Sequence, residues 1–211
     1  MDKIFAFFIS SIIPILLLFF IIKDGKNKRL LAFFMWGIVS YILALPVNEF
    51  FFSLTGLGVH DLSISTGPMV EEFFKMLPLF YIFIFYTSFR QEIVSLGMAS
   101  GIGFAIQENI QYILVSPETG RSLVVYITLR SLSTCLMHGL ATAMVAYGIF
   151  LMSRSGKRVH QVFFGFFALA VIFHALFNLL VNSPYYPIGA ILPILVYLAV
   201  NVFILPEKES V

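Results

Sequence analysis

Glu71, Glu72, Lys75, Glu108, Arg130, His138 and His174 interrupt stretches that are otherwise apolar, with Asn109 beside Glu108 and Asn178 four residues after His174. An ionisable side chain near the centre of a bilayer costs about 2.5 to 3.5 kcal/mol on insertion scales, so each needs a partner, a wet cavity or a chemical task. Carboxylates beside imidazoles are the parts of a hydrolytic site. A glutamate takes a proton from water, and an imidazole or amide donates to the oxyanion that develops on an amide carbonyl. The candidate base is Glu72 or Glu71, with His138 and His174 orienting the water, Asn109 or Asn178 donating, and Glu108 fixing a histidine tautomer or serving as a second acid-base group. That version needs no cofactor. The same groups permit a second version, because two neutral histidines and a glutamate make an acceptable zinc set with a position left for water. Its ligands would be His138, His174 and Glu108 from separate helices, since the compact His-Glu-x-x-His segment is missing.

The elements that must position these groups follow from composition. Of 211 residues, 60% are hydrophobic and 11% charged, with a mean hydropathy of +0.97, whereas soluble domains carry about a quarter charged residues. Crossing a hydrocarbon core of about 30 Å takes roughly 20 apolar residues. Seven segments qualify, at approximately 4–22, 30–47, 67–87, 93–115, 128–152, 162–182 and 187–205. Long unbroken runs exclude the alternating strands of a barrel. The expected fold is an all-α, polytopic membrane bundle of about seven transmembrane helices forming one domain over residues 1–211. The first segment is expected to stay as a helix, since its apolar stretch is long for a signal peptide and no small-residue cleavage site is evident.

Lysine and arginine set the orientation. With the amino terminus outside, the inner loops hold Lys23, Lys26, Lys28, Arg29, Arg90, Arg154, Lys157, Arg158 and Lys208, nine of the thirteen basic residues, and the carboxyl terminus lies inside. The outer segment from Asn48 to Thr66 has Glu49, His60 and Asp61 but no basic residue, and is long enough to hold a re-entrant or interfacial piece. Dispersed basic residues and a net charge of +2 give nucleic-acid binding no support. Cys135, the single cysteine, forms no intramolecular disulfide.

In that topology the polar groups share one layer. Glu71 and Glu72 lie about 6 Å below the outer boundary, Glu108 about 10 Å, His138 about 9 Å, and His174 and Asn178 about 12 and 6 Å. A water-filled cavity open to the outer face would satisfy them together. Residues four apart share a helix face, which pairs His174 with Asn178, Phe104 with Glu108, and Glu71 with Lys75, while Glu72 and Lys75 are neighbours at three. Adjacent glutamates cannot project in one direction, so one faces the cavity and the other is held by Lys75, Arg130 or the helix start. Gly67 and Pro68 suit the opening of a helix, and Pro78 cannot donate to the Phe74 carbonyl, which predicts a kink one turn below the glutamates. Gly97, Ala99, Gly101 and Gly103 make a small-residue face for another helix or an extended substrate.

Four segments in order, Glu71-Glu72-Phe73-Phe74-Lys75, Phe104-Ala105-Ile106-Gln107-Glu108-Asn109, His138 in Met-His-Gly-Leu, and His174-Ala175-Leu176-Phe177-Asn178, resemble those of the PrsW family of bacterial intramembrane proteases. They are similar also to the wider group of CAAX-type membrane peptidases. The resemblance implies cleavage of a single-pass membrane protein, such as an anti-sigma factor, near the extracytoplasmic side of a bacterial plasma membrane. It implies no nucleic-acid partner, and it leaves the oligomeric state open. Plainer roles compete residue by residue: Glu72 and Lys75 as a buried ion pair, the histidines and Asn178 as interhelical glue, Arg130 as a structural partner, and Trp36 as packing. A proton-coupled transporter is the alternative from another functional class, since intramembrane glutamates and histidines also build proton relays.

Overall fold

A computed structural model describes residues 24–85, 90–117, 120–154 and 159–203. They form seven helices: α1 (Gly25–Thr55), α2 (Val59–Ile64), α3 (Thr66–Phe85), α4 (Arg90–Val115), α5 (Gly120–Arg154), α6 (Val159–Val181) and α7 (Tyr186–Phe203). No strand occurs among the described residues. The expected span at approximately 4–22 lies outside them, and each of the other six falls on a helix.

Three of these helices, α1, α5 and α6, are long and apolar enough to cross a membrane by length and composition alone. Six of the seven expected spans fall on described residues, and in α3 and α4 the polar residues are what keeps them from this measure. Helix α3 packs Glu71, Glu72 and Lys75 into 20 residues, and α4 carries Gln107, Glu108 and Asn109 in succession. Helix α7 is apolar, and its described residues stop short of that length. The segment expected to hold an extra piece contains the end of α1 and the short helix α2.

Helix α5 is central: 67% of its apolar window is buried, against 33% for α1 and 22% for α6. Its neighbours reach it through glycine. A Cβ on Gly101 would stand 2.1 Å from the His138 carbonyl oxygen, so α4 and α5 touch backbone to backbone at the residue bearing the imidazole. On another face of α4, a Cβ on Gly103 would stand 2.0 Å from the Phe34 carbonyl oxygen of α1. The small-residue face thus receives helices on two sides and is not an open slot for substrate.

Helix α3 is fixed at the turn that carries Lys75. Pro78 lacks the N–H that would bond the Phe74 carbonyl, and the indole N–H of Trp36 donates to that oxygen at 2.8 Å. Trp36 is therefore more than the packing residue its sequence context predicts. Ser100 of α4 donates to the next carbonyl, that of Lys75, at 2.9 Å. Two helices hold this turn of α3, and the directions of its charged side chains follow from that.

Candidate active site

The two adjacent glutamates diverge. Glu72 is fully buried and accepts hydrogen bonds from Lys75 Nζ at 2.5 Å and His174 Nδ1 at 3.0 Å, both on Oε1, and from Thr142 Oγ1 at 3.1 Å on Oε2. Glu71 instead lines a cavity of about 570 Å³, within the roughly 300–1,000 Å³ span of ligand pockets. The cavity lies between α1, α2, α3, α4, α5 and α6, and its walls include Tyr41, Asn48, Ser63, Phe104, Glu108, Tyr112, Arg130 and Asn178. Of the two candidate bases, only Glu71 reaches this space. It retains 17% side-chain exposure against 0% for Glu72.

The buried ammonium of Lys75 explains how a lysine lies at zero exposure inside an apolar bundle. It carries three donors and no acceptor, and around it stand the Glu72 carboxylate, His138 Nδ1 at 2.8 Å and the Phe104 ring at 4.5 Å from its centroid. Lys75 pairs with Glu72 and not with Glu71. Because an ammonium only donates, His138 accepts on Nδ1 and keeps its hydrogen on Nε2, which faces Glu108 Oε2 at 3.1 Å. Arg130 completes the chain, with a terminal guanidinium nitrogen 3.3 Å from Glu108 Oε2 and its guanidinium stacked over Tyr112. Arg130 holds Glu108, as the structural expectation had it, and does not reach the paired glutamates.

His174 has the opposite tautomer. Its Nδ1–H donates to the Glu72 carboxylate, which leaves the Nε2 lone pair directed toward Glu71 Oε2 at 3.7 Å. The two imidazoles meet edge to face with centroids 4.7 Å apart. Ligand atoms of Glu71, His138 and His174 all lie within 4.8 Å of one another, and Glu71 Oε2 is buried with no hydrogen-bond partner among the described residues. These are donors suited to zinc: a carboxylate oxygen without a partner, and an imidazole whose far nitrogen is held by a second carboxylate. In this cluster Glu71 stands where Glu108 was expected, and Glu108 pairs instead with Arg130 and His138 Nε2.

The amides go elsewhere. Asn178 touches the cavity, but its Nδ2 donates to the Ser63 carbonyl at 2.8 Å and so ties α6 to α2. Asn109 points at Cys135 Sγ, 3.9 Å away, and is not among the cavity residues. Asn109 is turned away from the cavity, and Asn178 has one of its two amide hydrogens committed to α2. Phe104 is buried between Tyr41, Lys75 and His138, and works through its ring. Thr142 and Ser100 were missed. Thr142 follows His138 by four residues on α5, so helical spacing alone could have found it. Ser100 carries no such signal, since serines are common in membrane helices.

A family model described as PrsW family intramembrane metalloprotease matches residues 26–206. No curated protein and no solved structure matches the chain.

Proposed function

The chain belongs to the PrsW family of intramembrane metalloproteases, and on that premise we propose that it hydrolyses a peptide bond in a single-pass membrane protein at the cavity lined by Glu71 and Glu108. The observation that carries this is the convergence of Glu71, His138 and His174, from α3, α5 and α6, with their ligand atoms within 4.8 Å. Substrate binds on the extracytoplasmic side of a bacterial plasma membrane, and an anti-sigma factor is the expected type. Charge supports that side: Lys26, Lys28 and Arg29 begin α1, whereas the cavity is lined by Asn48, near the other end of α1, and by Val59 and Ser63 of α2.

Glu72 accepts the Nδ1 hydrogen of His174 and so keeps the Nε2 lone pair available beside Glu71. Lys75 neutralises Glu72, which leaves Glu71 and Glu108 as the carboxylates beside the two histidines that reach the cavity. Zinc held by Glu71, His174 and, once its Nε2 hydrogen is released to water, His138 would acidify its bound water and polarise the scissile carbonyl. Glu108, steadied by Arg130, takes the proton lost by the attacking water and returns it to the amine nitrogen as the C–N bond breaks.

A second version is favoured by Lys75. With the ammonium on Nδ1, His138 carries its hydrogen on Nε2, as a donor and not as a ligand. There Glu71 takes the water proton, and the Glu108–His138 pair delivers one to the leaving amine.

Co-expression with tagged single-pass candidates, comparing wild type with Glu71→Gln, tests the function. Cleavage by the wild type alone supports it, and equal cleavage by both removes Glu71 from the chemistry. Treating the purified protein with a strong chelator separates the two versions. Loss of cleavage with recovery on adding zinc selects the first, whereas full activity with no metal by elemental analysis selects the second.

A further inference from the structure

We propose that Tyr41 donates the hydrogen bond that stabilises the oxyanion on the scissile carbonyl, an inference that rests on the peptidase function above. Tyr41 lies on α1 and lines the cavity with Glu71 and Glu108. Its side chain is 4% exposed, yet its hydroxyl has no hydrogen-bond partner among the described residues. Buried phenols ordinarily find partners, and an unpaired one weakens the fold unless something else uses it.

The ring is fixed relative to the reacting groups. It packs edge-on against Phe104 at 5.2 Å and 72°. Phe104 in turn lies against His138 at 5.0 Å and beneath the Lys75 ammonium at 4.5 Å. A chain of two ring contacts therefore registers the phenol against the imidazole. The same face of α1 carries Asn48, seven residues on, whose Oδ1 is likewise buried and without a partner. Two unused polar atoms on one wall fit an occupant that brings its own amides, as an unfolded stretch of polypeptide does.

Elimination points the same way. Asn178 and Asn109, the amides the sequence suggests as donors, are turned to Ser63 and Cys135. Tyr41 carries the buried hydroxyl on this wall that has no hydrogen-bond partner among the described residues. As the water oxygen bonds to the carbonyl carbon, the π pair moves onto the carbonyl oxygen, which then accepts from the Tyr41 O–H. The phenol keeps its proton. When the intermediate collapses, the C=O double bond reforms, the C–N bond breaks, and the amine nitrogen receives the proton taken from water.

Tyr41→Phe removes the oxygen and leaves the ring. Steady-state cleavage of one tagged substrate is compared for wild type, Tyr41→Phe and Glu71→Gln, with thermal unfolding of each. The expected result is a kcat lowered by about 100-fold in Tyr41→Phe, as for loss of one oxyanion donor, with KM unchanged and a thermal midpoint equal to or above that of wild type. Wild-type kcat in Tyr41→Phe, a loss confined to KM, or a fall in thermal midpoint that accounts for the lost activity each overturns the role. If Glu71→Gln is inactive while Tyr41→Phe is fully active, only this inference fails. If the wild type cleaves nothing, the peptidase function fails and takes the inference with it.

Discussion

His174 Nδ1 meets Glu72 Oε1 at 3.0 Å, although 102 residues separate them along the chain. A carboxylate on α3 thus sets the tautomer of an imidazole on α6, and the lone pair it preserves faces the neighbouring Glu71. The adjacent glutamates divide the work: Glu71 meets the cavity, and Glu72 orients the groups behind it.

Substituting the two should give different failures. Glu71→Gln is expected to abolish cleavage and leave the thermal midpoint unchanged, because among the described residues no ion pair closer than 3.7 Å depends on it. Glu72→Ala strands the buried Lys75 ammonium and should destabilise by about 3 to 5 kcal/mol as well as abolish cleavage. Thermal unfolding in detergent beside a cleavage assay distinguishes the two, and equal stability of both variants would refute the division.

Removing both buried charges tests the pair directly. Lys75→Met alone leaves the Glu72 carboxylate buried without its cation and should cost stability much as Glu72→Ala does. The Glu72→Leu/Lys75→Met double variant should recover most of that loss, since apolar replacements of a buried pair are often neutral or stabilising. Cleavage should stay absent, because His174 no longer has a carboxylate to direct its lone pair. Recovery of cleavage along with stability would show that the pair serves the fold alone.

Much of this site was legible because the bilayer penalises charge: every ionisable residue inside an apolar run had to be explained, and five of them share one hydrogen-bonded network. Helical spacing gave the Glu72–Lys75 contact, and Pro78 marked the Phe74 carbonyl as lacking its helical partner. What spacing could not give was direction across helices. Nothing local says that Trp36, 38 residues away, would supply that carbonyl's hydrogen bond. Nor does it say that Asn178, one turn from His174, would turn to the backbone of α2. Which glutamate faces the cavity depends on how α3 is rotated against α5, and that depends on contacts scattered over the whole chain.

Asn178 should behave as a tie between elements. Asn178→Ala removes the hydrogen bond to the Ser63 carbonyl, and amide hydrogen exchange across Val59–Ile64 is expected to quicken. Cleavage should fall far less than in His174→Ala, which removes a member of the donor cluster. A kcat loss in Asn178→Ala as large as that in His174→Ala, with exchange in α2 unchanged, would put the amide among the reacting groups.

Gly101 offers the sharpest test that helix approach sets the site. Alanine is a better helix former than glycine by about 1 kcal/mol, so propensity alone predicts that Gly101→Ala stabilises. Packing predicts the reverse. The new Cβ would stand 2.1 Å from the His138 carbonyl oxygen and 2.7 Å from the Gly139 nitrogen, and backbone cannot rotate away as a side chain can. Helices α4 and α5 must therefore separate by an ångström or more, which would carry the Glu108–His138 contact beyond its 3.1 Å. A misplacement of about 1 Å costs on the order of 100-fold in rate, so Gly101→Ala should lose both stability and cleavage. Gly165→Ala is the control, since nothing lies within 4 Å of the Cβ it would add. That variant should cleave normally and unfold at the same temperature or higher. If Gly101→Ala behaves as Gly165→Ala does, the close approach of α4 to α5 is not what places His138.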